Sequence, residues 1–274
     1  MELGVTLRNM GPQSDVATLR EGARAAEALD FESLWITDHL AIPPDDSAGS
    51  GGRYTDPLTT LAWLGGMTRR IKLGVGVLIV PYRPPLPTAK AVATVQELTG
   101  NRLLLGLAVG WMEAEFRALG VDRHRRGRIT DETLAFLAEC FAADVVTRNG
   151  QPFLFKPRPP APPIYVGGAA PHALRRALRF GHGWLPMVRD PEALARDLEL
   201  YRELARQAGG EPGPVTVMAG LPLDRPDDAR GLLDRYRALG VERLICALRY
   251  ADLDGYLRRL DQLAQIARLQ ERGS

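Results

Sequence analysis

The stretch IKLGVGVLIVPYRPPLPTAKAVATVQELTGNRLLLGLAV, residues 71–109, decides the fold of this chain. Two short apolar runs, 71–79 and 102–109, flank a segment at 87–98 that follows a proline pair and has helical periodicity. The apolar runs have the length and the Val, Leu and Ile content of buried strands. A helix between two strands favours a parallel pair joined by a crossover. The stretch therefore predicts one strand–helix–strand unit of an α/β protein.

The same unit recurs along the whole chain. Apolar runs that predict strands alternate with amphipathic segments that predict helices. The strands are expected at 3–7, 33–37, 71–79, 102–109, 163–168, 183–187, 215–220 and 242–248, and the helices at 14–29, 57–67, 87–98, 112–143 with a break near 120–127, 171–180, 191–208, 226–239 and 252–268. Eight such units in 274 residues predict a TIM-like (β/α)₈ barrel of parallel strands, a fold that usually takes about 250 residues. A doubly wound open sheet is the alternative.

Residues 144–163 interrupt this alternation. The pair Asn149–Gly150 is typical of a tight hairpin turn, and the proline-rich sequence KPRPPAPP follows it. We therefore expect a short hairpin and a Pro-rich connector here, as an insertion in a single barrel domain that spans residues 1–274.

The composition argues against several classes of partner. The chain is 45% hydrophobic and 25% charged, with 35 basic and 33 acidic residues and a formal net charge of +2. This balance gives no reason to expect binding to nucleic acid or to an anionic membrane, and no apolar run approaches the ~18 residues that a membrane helix needs. The first ten residues, MELGVTLRNM, lack the apolar core of a signal peptide. Cys140 and Cys246 lie in apolar segments and are expected to be buried free thiols of a cytoplasmic protein.

Polar residues, aromatic residues and glycines follow the expected strands. Because the chemistry of such barrels lies at the C-terminal ends of the strands, these residues are the candidates for a site. They are Arg8 and Asn9, Asp38 and His39, Gly74, Gly76 and Val77, Gly110, Trp111 and Glu113, Gly167 and Gly168, and Trp184 and Met187. Their convergence on one rim suits a flat aromatic ligand that carries a phosphate. Gly110 would then contact this ligand, and Trp111 and Trp184 would line the substrate pocket.

The stretch SLWITDHL, residues 33–40, places Asp38 and His39 where the second strand ends. Charge is costly to bury, so the pair is either the solvated lip of the strand or the acid and base of a site, and spacing alone leaves both open. Neighbours on an extended strand point in opposite directions, so adjacency does not decide the matter. A metal site is not expected, because the other three histidines lie in separate loops or helix starts without ligand spacing.

Two further motifs are open to more than one interpretation. Gly167 and Gly168 end the fifth strand just before the helix PHALRRAL. Backbone N–H groups at a helix N-terminus, with no Cβ in the way, form an anion site, but a tight turn would need glycine too. The run RHRRGR, residues 123–128, is either a solvated loop before a helix or a basic lining for an anionic cofactor tail or substrate.

Four blocks of the sequence together resemble the luciferase-like monooxygenase family. They are SLWITDHL, the stretch from TRRIKLGVGV to EFRALGV at 68–121, RGRITDETLAFL at 126–137 and PPIYVGGAAPHALRRALRFGHGW at 162–184. In order and spacing they are similar to the small members of the family that use the deazaflavin coenzyme F420. The resemblance implies a TIM-like barrel that binds a reduced flavin or deazaflavin at its C-terminal face.

The resemblance also implies roles for particular residues. Asp38 would approach the ring and polar side chain of the cofactor, and His39 would face the reacting centre as an acid/base or polarising group. Gly76–Val77 matches the position of a bulge that contains a non-prolyl cis peptide behind the ring in relatives. The cofactor phosphate would be held by Gly167, Gly168 and Ala169.

Two positions depart from the family pattern. Relatives that oxidise sugar phosphates carry a glutamate proton donor where this chain has Trp111, so that activity is not expected. The commoner GDGW motif is GHGW here, with His182 in the acidic place, which puts any role of that acid in doubt. The chain is also short, so few lid insertions and an open pocket are expected.

The resemblance therefore predicts an oxidoreductase that transfers a hydride between coenzyme F420 and an unidentified small organic substrate. It also predicts a homodimer formed through outer helices of the barrel. The alternatives are an FMN-dependent monooxygenase of the same fold, a flavin-binding protein without turnover, and a metal-dependent hydrolase on the same barrel.

Overall fold

The computed structural model describes residues 1–271, with side chains up to residue 267. Ten strands lie in this part of the chain: β1 (Glu2–Thr6), β2 (Ser33–Ile36), β3 (Lys72–Ile79), β4 (Leu103–Ala108), β5 (Val145–Arg148), β6 (Gln151–Leu154), β7 (Ile164–Gly168), β8 (Gly183–Pro186), β9 (Thr216–Ala219) and β10 (Arg243–Cys246). The α-helices are α1 (Val16–Ala28), α2 (Pro57–Gly65), α3 (Pro85–Leu98), α4 (Glu113–Ala118), α5 (Arg126–Ala142), α6 (His172–Phe180), α7 (Pro191–Gln207), α8 (Pro226–Ala238) and α9 (Leu253–Glu271).

Eight of the strands form one parallel sheet that nearly closes on itself. Their order is β8-β7-β4-β3-β2-β1-β10-β9. The two ends of this order meet where Trp184 of β8 forms a parallel bridge with Val215, and the Trp184 N–H donates to the Pro214 carbonyl at 2.9 Å. The edges approach so closely that a Cβ on Gly183 would lie 2.2 Å from the Pro214 oxygen. The predicted (β/α)₈ barrel is confirmed, and the doubly wound open sheet is wrong.

Helices cover the outside of the barrel, and three of them begin at an aspartate N-cap. Asp15, Asp56 and Asp190 cap α1, α2 and α7 by accepting hydrogen bonds from backbone N–H groups of the first turn, which satisfies donors that have no partner inside the helix. The helices other than α4 contribute buried apolar residues to the main core, whereas Phe116 of α4 packs in a separate cluster with Ile79 and Tyr82. Among the described helices, none combines the length and the apolar character that a membrane crossing requires.

The interruption after α5 is the expected hairpin. Strands β5 and β6 pair antiparallel, and Asn149 and Gly150 join them with φ angles of 51° and 77°. These positive values are those of the hairpin turns that favour Asn-Gly. The Pro-rich connector then leads into β7 and contains a cis peptide bond before Pro157.

A second core cluster fills the inside of the barrel. It consists of Trp35, Leu104, Tyr165, Leu185 and Ile245, with Val77 and Met218 packed against it. Below this cluster, at the N-terminal ends of the strands, the guanidinium of Arg243 pairs with Glu32 at 2.7 Å and donates to the Tyr165 hydroxyl at 2.8 Å. Burial alone would lower the pKa of Arg243, but Glu32 and Tyr165 raise it above its ordinary value. The lower end of the barrel is thus closed by packed and paired side chains.

The packing of Trp35 explains one glycine of β3 and generates a prediction. A Cβ on Gly74 would lie 2.3 Å from Cδ2 of Trp35, which is fully buried and has no room to move. Gly74→Ala is expected to lower the free energy of unfolding by about 1–3 kcal/mol, the usual cost of overpacking a core. Denaturant unfolding at equilibrium measures this change.

Gly231→Ala is the matched control. Gly231 lies inside α8, and a Cβ there meets nothing within 4 Å. Alanine is favoured over glycine in a helix interior by roughly 0.5–1 kcal/mol, so this variant should be slightly more stable than the parent. Equal stability of Gly74→Ala and the parent would contradict the packing argument.

Candidate active site

A cavity of about 470 Å³ lies at the C-terminal ends of the barrel strands. Pockets of roughly 300–1,000 Å³ are usual for small-molecule ligands, and this end of a barrel is where catalytic residues collect. The lining is mainly apolar, with glycines and a few polar groups. It consists of Thr37, Asp38, His39, Gly76, Val77, Ile79, Ala108, Val109, Gly110, Trp111, Gly167, Gly168, Leu185, Pro186, Met187, Arg189 and Met218.

One wall of the cavity is a bulge in β3. The peptide bond between Gly76 and Val77 is cis, as the resemblance implied. The pairing of β3 with β4 shifts by one residue between Val75 and Leu78, which is the signature of a β-bulge. The bulge places Val77 in the cavity wall, between the interior cluster below and the open end above.

The glycines at the end of β7 form a second wall. Gly167 and Gly168 both line the cavity, and α6 begins four residues later. Neither glycine has a side chain that would block a ligand at this wall. Ala169 is exposed and is not among the residues that line the cavity.

The assignment of Trp184 to the substrate pocket is wrong. Its side chain is fully buried and packs edge-on against Tyr201 of α7, with ring centroids 5.8 Å apart. Its Nε1–H donates to the Gly168 carbonyl at 3.0 Å. The reason is the alternation of side chains along a strand: Leu185 points into the barrel and lines the cavity, so Trp184 points outward to the helices and supports the glycine wall from behind. By contrast, Trp111 lines the cavity and is 63% exposed.

Asp38 is held by contacts within the protein that the sequence analysis did not predict. Asp38 is part of the cavity wall, but its side chain is fully buried. Its carboxylate accepts two hydrogen bonds from Arg83, at 2.6 and 2.9 Å, and a third from the Ile79 N–H at 2.9 Å. Arg83 also donates to Asp56 at 2.9 Å. The carboxylate of Asp38 therefore holds the end of β3 against the end of β2.

The charge of Arg83 is stabilised by the same contacts. Burial alone would lower the pKa of its guanidinium, but the hydrogen bonds and charges of Asp38 and Asp56 raise it above its ordinary value. A two-point Arg–carboxylate contact is directional as well as strong. The cis bulge is thus followed directly by a segment whose position is set by a buried ion pair.

His39 faces the cavity and is held by a residue that the sequence analysis missed. Its Nδ1 lies 2.7 Å from Oε2 of Glu115, whose side chain is fully buried. The imidazole ring also meets Tyr54 and Trp111 edge-on, with ring centroids 5.1 and 6.3 Å away. The position of the ring is therefore fixed on three sides.

Glu115 itself is bound by several donors. The N–H groups of Leu40 and Ala41 donate to Oε1 at 2.6 and 2.9 Å, and the Tyr82 hydroxyl donates to Oε2 at 2.8 Å. Burial alone would raise the pKa of Glu115, but these hydrogen bonds and the one to His39 lower it below its usual value. The carboxylate is therefore a buried anion beside the imidazole.

A signal for Glu115 was present in the sequence. Sequence reasoning singled out Glu113, which is exposed and lies 3.8 Å from Arg117. Met112, Phe116 and Leu119 form an apolar stripe at helical spacing, and Glu115 lies within that stripe. A carboxylate on the apolar face of a helix must be paired if it is buried. This pattern therefore indicates a buried, hydrogen-bonded glutamate at position 115.

His182, the histidine of GHGW, lies away from the cavity. Its backbone N–H donates to the carbonyl of Ile164, the first residue of β7, which places it at the N-terminal end of the strands. Its ring contacts Tyr165 at a centroid distance of 5.6 Å. Within residues 1–271, no group of three or more His, Cys, Asp or Glu side chains is arranged to hold a metal ion.

The ion pair of Asp38 leads to a prediction about stability. Asp38→Asn is expected to lower the free energy of unfolding by about 3 kcal/mol, because removing this charge of a buried pair leaves Arg83 with only Asp56, which is partly exposed. The midpoint of denaturant unfolding should fall without a change in its slope. Asp46→Asn, an exposed change in the β2–α2 loop, should stay within about 0.5 kcal/mol of the parent. Equal effects of the two substitutions would contradict a structural role for Asp38.

Comparison with known proteins identifies the family. The sequence model of the luciferase-like monooxygenase family matches residues 1–273. An uncharacterised protein of Mycobacterium tuberculosis is 31% identical over 241 residues, which cover 81% of this chain and 79% of that protein. The F420-dependent hydroxymycolic acid dehydrogenase of the same species is 30% identical over 209 residues, 73% of this chain and 56% of that enzyme.

Solved structures show the same fold at lower identity. An F420-dependent secondary alcohol dehydrogenase, solved with an F420–acetone adduct, superposes with a TM-score of 0.81 at 15% identity, over 97% of both chains. The oxygenating constituent of 3,6-diketocamphane monooxygenase from Pseudomonas putida, solved with FMN, superposes with a TM-score of 0.76 at 15% identity, also over 97% of both chains. The match over nearly the whole chain and the (β/α)₈ barrel agree, and the chain belongs to the luciferase-like monooxygenase family of oxidoreductases.

Proposed function

We propose that this protein transfers a hydride between coenzyme F420 and a small organic substrate. The observation that carries the proposal is the meeting of three features around one cavity. These are the bulge of β3 at Gly76–Val77, the glycine end of β7 and the imidazole of His39. The bulge suits the back of a flat ring, the glycine end of β7 suits a phosphate, and the imidazole suits a proton transfer beside the ring.

The residues of the cavity fit such a cofactor. Val77 and the apolar groups near it offer a flat, dry contact for a ring system. Gly167 and Gly168 present backbone without side chains to the cavity, which leaves room for an anionic group, and Arg189 adds a positive charge to the same cavity. Gly110 also lines the cavity; it has a φ of 76°, and a Cβ there would lie 2.6 Å from Cγ2 of Ile79, so only glycine fits at this point. When bound, the deazaflavin supplies or accepts a hydride.

F420 is favoured over FMN by the relatives and by charge. The relative with 30% identity over 73% of this chain is named for F420, whereas the likeness to the FMN-bound structure lies in the fold alone. Arg123, Arg125 and Arg126 surround the start of α5. A Cβ on Gly127 would lie 3.6 Å from the guanidinium of Arg176 on α6, so this basic segment adjoins the helix that follows the glycine wall. That placement suits a long anionic tail.

We assign the proton of the reaction to His39. Its Nδ1 is engaged by Glu115, and among the described residues no hydrogen-bond partner occupies Nε2. A histidine at the edge of a mainly apolar cavity can take a proton from the substrate or return one to it. Trp111, which lies beside His39, would contact the substrate.

An FMN-dependent monooxygenase is the second candidate. The same glycine wall would accept the phosphate of FMN, and a flavin ring has nearly the shape of a deazaflavin ring. In that case the reduced flavin would activate oxygen, and His39 would handle a proton of that reaction instead.

Titration of the purified protein with each cofactor tests the proposal. We expect F420 to bind tightly, with a change in its fluorescence, and FMN to bind weakly. Turnover is then followed by the absorbance of F420 with a panel of alcohols, aldehydes and ketones. Tight FMN binding without F420 binding would exclude the proposal in favour of the second candidate, and F420 binding without turnover would favour a non-catalytic binding protein.

His39→Ala separates binding from chemistry. We expect this variant to bind F420 with nearly unchanged affinity and to turn over about 10²–10⁴-fold more slowly, the range for loss of a general acid or base. His124→Ala, a change at an exposed position in the single turn before α5, is the control and should match the parent. Unchanged turnover of His39→Ala would remove this residue from the chemistry.

We further propose that the protein is a homodimer that uses α2 and α3. Large apolar side chains are exposed on these helices, with Trp63 at 40%, Leu86 at 36% and Leu98 at 65% exposure. A groove of about 450 Å³ lies between the helices and is lined by Asp56, Leu58, Thr59, Ala62, Arg83, Pro84, Pro87, Thr88, Ala91, Thr94 and Val95. Exposed apolar side chains around an apolar groove are typical of protein interfaces.

Trp63→Glu tests this surface. A buried carboxylate at an interface has no partner, so the variant should shift from dimer to monomer in analytical ultracentrifugation. Leu200→Glu places the same charge at an apolar residue of similar exposure on α7 and should leave the dimer intact. A monomeric parent protein would contradict the proposal.

We also propose that the protein acts in the cytoplasm. Cys140 and Cys246 are both free and buried, which suits a reducing compartment. Burial raises the pKa of the Cys140 thiol to about 11 and that of Cys246 to about 12, so both stay protonated at neutral pH.

A further inference from the structure

The carboxylate of Glu115 is fully buried and is contacted by four hydrogen-bonding groups. Leu40 and Ala41 donate to Oε1, and the Tyr82 hydroxyl donates to Oε2. The fourth contact is His39 Nδ1, 2.7 Å from Oε2. Glu115 lies on α4, which follows β4. His39, Leu40 and Ala41 lie just after β2, and Tyr82 lies just after β3, so all four contacts come from the ends of other strands.

The direction of each hydrogen bond can be assigned from the chemistry of the groups. Backbone N–H groups can only donate. Burial, with Glu115 beside it, raises the pKa of Tyr82, so that its hydroxyl keeps its proton and donates it. The remaining contact at Nδ1 is a hydrogen bond to an anionic carboxylate, which can only accept. Nδ1 must therefore carry a proton.

This assignment fixes the other nitrogen of the ring. A neutral imidazole carries one proton, so a proton on Nδ1 leaves Nε2 with a free lone pair. Free histidine in water prefers the opposite tautomer, with the proton on Nε2. The environment of His39 therefore imposes the tautomer whose basic nitrogen is the one not bound to Glu115.

We infer that Glu115 is a positioning residue that keeps Nε2 of His39 available as the proton acceptor of the reaction and balances the charge that forms there. This inference rests on the proposed function, in which His39 handles the proton. When the substrate loses a proton, its bond to hydrogen breaks, an N–H bond forms at Nε2, and the imidazole becomes a cation. The adjacent anion stabilises that cation, and in the reverse direction the same proton returns to the substrate.

The ring cannot easily escape this arrangement. Tyr54 and Trp111 pack edge-on against it, and only 17% of its side chain is exposed. Rotation of the ring would also leave a buried carboxylate with one hydrogen bond fewer, which is unfavourable. Glu115 thus sets both the tautomer and the orientation of His39, although Glu115 itself does not line the cavity.

Nitrogen NMR of the imidazole rings tests the inference without any cofactor. The chain has four histidines, and the spectrum of His39→Ala identifies the signals of His39. At a pH where the ring is neutral, the parent protein should show a protonated Nδ1 and an unprotonated Nε2 at His39. A ring with its proton on Nε2 would overturn the inference.

Glu115→Gln is the decisive variant. The glutamine oxygen can still accept from Leu40 and Ala41, but its NH₂ group must donate to Nδ1, so the proton of His39 should move to Nε2. A variant that keeps the proton on Nδ1 would overturn the inference. Glu113→Gln, two residues earlier on α4 and exposed, is the matched control and should leave the His39 signals unchanged. If Glu115→Gln does not fold, the spectrum of the parent alone decides.

Turnover provides a second readout. Once a substrate of the parent is known, Glu115→Gln should lower kcat by about 10²–10⁴-fold with nearly unchanged cofactor affinity, whereas Glu113→Gln should not. An equal loss in both variants would contradict a specific role for Glu115. A parent that does not use F420 would refute the proposed function but not the tautomer, since the NMR measurement involves no cofactor.

Discussion

The buried carboxylate of Glu115 is the interaction on which the catalytic end of the barrel depends. A charge without solvent must be matched by donors, and the donors come from segments that follow β2 and β3, while the carboxylate itself follows β4. Three neighbouring strand ends are therefore drawn to one point. The position of His39 at the cavity follows from this requirement as much as from the barrel itself.

The barrel as a whole was accessible from the sequence. The alternation of apolar runs and amphipathic segments located every strand of the barrel to within a few residues, because parallel strands buried on both faces are continuous apolar runs. The closure of the sheet depends on the bridge between Trp184 of β8 and Val215, just before β9, which joins the two ends of the strand order, and the alternation favoured it only through the count of eight units. The cis bond at Gly76–Val77 was expected from the family resemblance, since nothing in the local sequence distinguishes it from an ordinary Gly-Val pair.

The site was accessible in part. The rule that chemistry lies after the strands located His39, Trp111 and the glycines at the end of β7, all of which line the cavity. It could not tell which way a side chain points, and so it misassigned Trp184. The ion pair of Asp38 was missed because its partner, Arg83, lies 45 residues further along the chain, a separation at which only the folded structure brings charges together.

Arg83 lies in the barrel wall between the candidate active-site cavity and the groove on the outside of the barrel. Its guanidinium lies between Asp38, which belongs to the inner cavity, and Asp56, which belongs to the groove between α2 and α3. The wall there consists of the Asp38–Arg83 pair, with Asp38 on the side of the cavity and Arg83 on the side of the groove. The outer carboxylate of Asp56 and the inner carboxylate of Asp38 are therefore linked through one guanidinium, so a change of charge at the groove changes the electrostatic environment of Asp38.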